Sequence, residues 1–158
     1  MAQTTGGMSA NDMYVGVSTD GSTWYDVSGS VGSVLPSGGE RQSGEAFTFD
    51  GNTPIVKYGK LGYMTVTLRG VYTPDADELY AKAIAAYEAG SAFYARWSPA
   101  GGDAGDIGYT TSVGTVVSHV YPGGEASTPD PILIEVVLHV GSITKSVIGT
   151  GANVWDAA

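Results

Sequence analysis

The sequence has no cysteine, and only two histidines, His119 and His139, in 158 residues. Without thiols there is no disulfide framework, no Cys-ligated zinc, no iron–sulfur cluster and no thiol nucleophile. Charge is scarce as well: Asp, Glu, Lys and Arg make up 15% of the chain, against roughly 25% in ordinary soluble domains. What charge there is leans one way, with 16 acidic and 7 basic side chains and a formal net charge of −9. A chain without a Lys or Arg cluster cannot neutralise phosphate, which excludes tight binding to duplex DNA or to anionic membranes. No apolar run approaches the roughly 18 residues of a membrane span. The opening MAQTTGGMSAND lacks the basic start and apolar stretch of a secretory signal, so the chain is expected to be made and assembled in a cytoplasm.

Turn-forming residues are abundant, with 24 Gly and 7 Pro, about a fifth of the chain. This composition predicts short strands. The length suits one domain that buries about two-thirds of its unfolded surface, so a core forms without disulfides or metal. A surface this poor in Lys and Glu favours contact with protein over contact with water.

Residues 1–12 are small and polar and read as a flexible arm; 149–158 read as a second such tail. Between them, 13–148 read as one β domain. MYVGVS, the Asp20-Gly21 turn and WYDV predict a first hairpin. PSGGERQSGE, residues 36–45, has no period and reads as a long exposed loop. AFTFD, Asp50-Gly51-Asn52 and IVK predict a second hairpin. YMTVTLRGVY alternates, with Met64, Val66, Leu68 and Tyr72 on one face and Tyr63, Thr65, Thr67 and Arg69 on the other. Further strands are expected at 91–97, 109–112, 114–121, 132–140 and 142–148. ILIEVVLHV, apolar on both faces apart from Glu135 and His139, is expected at a sheet centre covered on two sides.

One segment changes period. Apolar residues at 76, 79, 80, 83, 84 and 87 predict a helix over 74–89, with Thr73 as N-cap, Pro74 at its first position, and Gly90 as its stop. Leu79, Tyr80, Ala83, Ile84 and Tyr87 form its packing stripe, and Asp77, Lys82 and Glu88 are expected to face solvent. The sum is nine to eleven short strands and one helix: two packed antiparallel sheets, as a sandwich or partly rolled barrel, with the helix on its flank.

Catalytic patterns are missing. No serine has glycine at both positions of a nucleophile elbow, and the dinucleotide and P-loop glycine patterns are absent. Neither histidine has a local ligand or base partner, so each reads as a half-buried strand residue. Asp103 and Asp106 in GGDAGDIG resemble part of a calcium loop but lack a third carboxylate, and read as a solvated turn. Ten Tyr and three Trp suit a core or subunit seam, or a sugar-stacking platform.

The order of segments resembles the major tail tube proteins of long-tailed, non-contractile bacteriophages (siphoviruses). The resemblance runs over most of 14–148 and is most particular at Leu68 to Leu79, LRGVYTPDADEL, and at Arg96 to Gly105, RWSPAGGDAG. It implies two packed sheets flanked by a helix, hexameric rings stacked into a hollow tube, passage of viral DNA without specific binding, and tape-measure and terminator proteins as partners. It implies no enzyme activity, cofactor or metal. Glu40, Arg41 and Gln42 in the long loop, with Asp103 and Asp106, are the candidates for inter-subunit or inter-ring contacts. Six copies would carry roughly −54, and acidic walls would repel phosphate. The alternative is a monomeric carbohydrate-binding β-sandwich.

Overall fold

The computed structural model describes residues 8–151, 154 and 155. Its strands are β1 (Tyr14–Ser18), β2 (Tyr25–Asp26), β3 (Val31–Gly38), β4 (Arg41–Ala46), β5 (Ile55–Leu61), β6 (Met64–Val71), β7 (Tyr94–Ser98), β8 (Ile107–Thr111), β9 (Gly114–His119), β10 (Leu133–Val140) and β11 (Ile143–Val147), with one helix, α1 (Leu79–Ala89), after β6. Every strand pairing is antiparallel. Three sheets result: five strands in the order β11-β8-β7-β1-β2, four in the order β3-β6-β10-β9, and the separate pair β4-β5.

The two larger sheets face one another across a core rich in β-branched residues. In β6, Val66, Leu68 and Gly70 point inward, and β10 adds Ile134, Val136, Leu138 and Val140. The opposite layer is Val15, Val17, Ala95 and Trp97, with Phe93 and Val27 fully buried at its margins. Period-2 patterning thus becomes one dry face per sheet. β10 is an interior strand as expected, but only one of its faces is fully covered: Glu135, Val137 and His139 are half-exposed and Leu133 is exposed.

The helix is shorter than the sequence predicts. It starts at Leu79, with Glu78 in extended conformation as N-cap, and Thr73 and Pro74 lie outside it. The cause is upstream: the Tyr72 amide still donates to the Ile132 carbonyl at 2.8 Å, so the chain cannot coil until it leaves the sheet. Glu78 makes no side-chain cap bond because its carboxylate accepts from the Ser30 hydroxyl at 2.5 Å. Gly90, in left-handed conformation at φ 62°, ends the helix. The buried stripe is Leu79, Ala83 and Ala86. Tyr80 and Ile84 are half-buried, Tyr87 is 44% exposed, and Ala76 lies in an exposed turn before the helix. Ala86, absent from the expected stripe, falls on it because two alanines let the helix approach the sheet closely. Lys82 is not on a free outer face: it pairs with Asp77 at 3.0 Å and sits 3.8 Å from the centre of the Tyr25 ring. The hydrogen bond from Lys82 to Asp77 holds the ammonium above its ordinary range.

One segment expected to be irregular is ordered, and so is Trp155 of the tail, of which 152, 153 and 156–158 lie outside the described residues. Residues 36–38 complete β3 and 41–45 belong to β4, so the long loop is two strand ends around a turn at Gly39 and Glu40. Gly38 and Gly39 adopt φ of 86° and 76°, open to glycine without strain, and this swings the chain out of the four-stranded sheet. In the C-terminal tail, Trp155 lies over Gly108, its amide donates to the Gly102 carbonyl at 3.2 Å, and the Arg96 guanidinium stacks 4.7 Å from its ring. Of the N-terminal arm, residues 8–12 are exposed and 1–7 lie outside the described residues.

Packing sets three expectations for chemical denaturation. Leu79→Ala should lower the unfolding free energy by about 2–5 kcal/mol. Gly70→Ala should cost about 1–3 kcal/mol, because its Cβ would collide with the Ser30 carbonyl that accepts the Val71 amide. Tyr87→Ala should stay within about 1 kcal/mol; a loss as large as that of Leu79→Ala would move the buried face of α1.

Candidate functional site

The unsatisfied surfaces among the described residues are exposed apolar side chains and unpaired backbone groups. The β4-β5 pair forms an arm in which every side chain of both strands is exposed. Phe47 and Phe49 at its tip and Ile55, Val56, Tyr58 and Leu61 along β5 are apolar and uncovered. Two bonds between backbone groups root it: the Gly39 amide donates to the Tyr63 carbonyl at 3.1 Å and the Gly62 amide to the Glu40 carbonyl at 2.9 Å. An isolated two-stranded ribbon is marginal in water, and an apolar one invites a partner surface.

The four-stranded sheet presents the second surface. Its outer strands, β3 and β9, have no neighbouring strand on their outer sides; most of each edge is open, save that Gly114 of β9 exchanges both backbone bonds with Phe93 and the Val31 amide of β3 donates to the Val27 carbonyl. The alternation of directions gives those edges a relation. With four antiparallel strands, β3 and β9 run in opposite senses, so β9 of one copy meets β3 of a second copy, set side by side, in the antiparallel sense again. Extension by further copies keeps the pattern unbroken.

The face of this sheet that points away from the core is a grid set by register. One row is Ser33, Arg69 and Glu135; the next is Leu35, Thr67 and Val137; the third is Ser37, Thr65, His139 and Thr115. Arg69 and Glu135 are directly opposite and form an ion pair. The His139 ring lies 4.5 Å from that of Tyr63. Formal charge on this grid therefore cancels, and hydroxyls dominate it. The acidic surplus lies elsewhere: Glu40, Glu45 and Asp50 on the arm, Asp75, Asp77, Glu78 and Glu88 at the helix, Asp20 and Asp26 near the first hairpin, and Asp103, Asp106, Glu125 and Asp130 in loops.

The third surface follows from the position of α1. The helix contacts β9, β10 and β1, and so closes one flank of the sandwich. The opposite flank, between β3 and β6 on one side and β7, β8 and β11 on the other, stays open as an apolar groove of about 410 Å³. It is lined by Pro36, Met64, Trp97, Tyr109, Ile143 and Lys145.

The residues singled out from sequence fall at separate places. Glu40, Arg41 and Gln42 sit exposed at the root of the arm, Arg41 opposite Leu61. Asp103 and Asp106 close a tight turn, in which the Asp106 carboxylate accepts the Asp103 amide at 3.0 Å and the Asp106 amide donates to the Asp103 carbonyl at 3.1 Å. Among the described residues no group of three His, Asp or Glu side chains is placed to hold a metal ion. His119 meets Tyr80, Tyr87 and Tyr121 edge-on, with ring planes at 73°, 76° and 80°. Rings in that arrangement offer no continuous flat platform for a sugar. Asp20 is a structural carboxylate: the amides of Thr23 and Ser22 donate to it and hold its pKa well below the usual carboxylate range. The stabilisation from that turn is present above the ordinary carboxylate pKa and fades as pH falls through the lowered one. Sequence reasoning missed the packing of Arg96 between Trp24 and Trp155, at 4.5 and 4.7 Å; tryptophans so distant in the chain give no local signal.

No protein-family model matches the chain, and no curated protein matches it. Solved structures do. The chain is similar to the SPP1 tail tube subunit, with 15% identity, a TM-score of 0.67, and coverage of 91% of this chain and 81% of that one. It is also similar to a subunit of the six-fold symmetric tail of a gene transfer agent particle, with 12% identity, a TM-score of 0.65, and coverage of 89% and 100%. A subunit of the sheath/tube terminator of an extracellular contractile injection system matches with 17% identity, a TM-score of 0.64, and coverage of 89% and 97%.

The exposed arm predicts its own dispensability for folding. Replacing 41–61 by a short glycine turn should leave a folded domain whose melting temperature and near-UV circular dichroism match the intact chain. Loss of cooperative unfolding would place the arm inside the folding unit. Over most of its length the chain has the fold of tail tube subunits.

Proposed function

We propose that this chain is the structural subunit of a bacteriophage-like tail tube, in which copies join through β3 and β9 into a closed ring, and rings stack into a hollow tube. The observation that carries the reading is the pair of complementary open edges on one even-stranded antiparallel sheet, in a chain whose fold matches that of tail tube subunits. Six copies per ring is the number that the resemblance in sequence implies. Closure satisfies the edge backbone groups that a free subunit leaves to water.

In such a ring the hydroxyl-rich grid lines the bore. The wall is then close to neutral, since Arg69 and Glu135 cancel, in place of the acidic lining that net charge alone suggested. DNA would pass a surface that neither captures nor strongly repels phosphate. The arm projects beyond the sheet at the level of Met64 and carries Glu40, Arg41 and Gln42 at its root, which suits contact with the next ring. Terminator and tape-measure proteins would be its partners, the particle tail its location, and its role mechanical, not enzymatic.

Purified protein imaged by negative-stain microscopy and followed by sedimentation should show rings or tubes whose population rises with concentration. Removing 41–61 should leave rings and abolish stacking. A wild-type chain that stays monomeric at its highest soluble concentration would refute the reading and favour the sandwich as a solitary binding module.

A further inference from the structure

Ring closure would bring the open flank of one sandwich against the closed flank of another. α1 lies beside β9, and the groove lies beside β3. If β9 of one copy pairs with β3 of the next, the helix of the first is carried to the mouth of the groove of the second. The two features stand at different levels along the strands, so copies joined in this way are staggered. Gly38, Met64, Val140 and Gly114 form a single register row across the sheet, and Gly114 bridges to Phe93, just beyond the C-terminal end of α1. The groove is lined by Met64, in that row, and by Pro36, two positions along β3 from it, whereas the Tyr87 ring packs on His119, which pairs with Val136 four positions from Val140.

Chemistry agrees with position. The last turns of α1 expose Tyr87 and Glu88. Tyr87 is a large aromatic with one face on His119 and 44% of its surface open. The groove is walled by Trp97, Tyr109, Met64, Pro36 and Ile143, with Lys145 as its single charged residue. Among the described residues neither Lys145 nor Glu88 makes an ion pair within the chain.

We propose that the open flank is the socket for the C-terminal turn of α1 from the adjacent copy, with that copy's Tyr87 among Met64, Trp97, Tyr109 and Ile143 and its Glu88 beside Lys145. This rests on the ring reading above and adds the lateral contact that fixes which copy sits where. The occupant is a second copy of this chain. One helix then serves two sandwiches: its Leu79, Ala83 and Ala86 stripe fills the flank of its own, and its far side fills the flank of the next.

Charge reversal tests the contact. Lys145→Glu sets two carboxylates against each other at every junction, and Glu88→Lys sets two ammonium groups against each other there. Each variant alone should fold with an unchanged melting temperature and need at least about tenfold more protein to reach half-assembly. An equimolar mixture of the two variants should recover wild-type assembly, because an alternating ring restores an opposite pair at every junction. The doubly reversed chain should recover it as well. Tyr87→Ala should fold and assemble poorly in every mixture.

If the single variants assemble as wild type does, or if mixing fails to rescue impaired ones, the socket is wrong while the ring stands. If assembly is instead blocked by Phe49→Ser and indifferent to both charge reversals, the groove takes the arm of another copy and the proposal is overturned. A wild-type chain that never assembles removes the ring and the socket together.

Discussion

A sandwich of two sheets has two flanks to cover, and among the described residues there is one helix with which to do it. The core is sealed on the β9 side by Leu79, Ala83 and Ala86. On the β3 side the sheets remain parted, with Trp97 and Tyr109 stacked at 5.9 Å on the wall of the gap. A monomeric protein under pressure to be stable alone would place a second helix or a long loop there. Here the chain that leaves β3 turns outward at Gly38 and Gly39 and becomes the arm. The missing cover, the open edges and the uncovered arm are thus consequences of one economy in secondary structure.

Charge follows the same division. Ionisable side chains are concentrated on the helix, the arm and the turns, while the outward grid of the four-stranded sheet keeps one neutralised pair and a histidine. Net charge alone could not have located this, because a sum over the chain carries no information about faces. Once register is fixed, alternate residues of β3, β6, β10 and β9 must share one surface, and its polarity can be read directly.

Much of the architecture was legible in the sequence because local periods were strong. The alternation in YMTVTLRGVY defines β6, and the i, i+4, i+7 spacing defines the core side of α1. The start of the helix was illegible because a long-range hydrogen bond, from Tyr72 to Ile132, delays it. VGSVLPSG, which is β3, and RQSGEA, which is β4, were hidden by glycine, serine and proline: their pairing partners are distant in the chain, and exposure on both sides of β4 leaves no alternation to detect. The candidate assembly surfaces were half legible. The hairpin signal at Asp50-Gly51-Asn52 marked the arm, but the groove, formed by five strands from all parts of the chain, could only appear once the fold was built.

The unlikeness of the two sheet edges reaches beyond a single ring. β3 bears Pro36 and the root of the arm, whereas β9 bears the helix, so in the proposed ring the junction between copies would be head-to-tail, without a two-fold axis. A ring closed in this way has two distinct rims, and all of its arms emerge from the same one. Stacks of such rings inherit a direction. A filament built from them is vectorial: growth can be started at one end and stopped at the other by different proteins, and its two mouths can be told apart by any molecule that meets them.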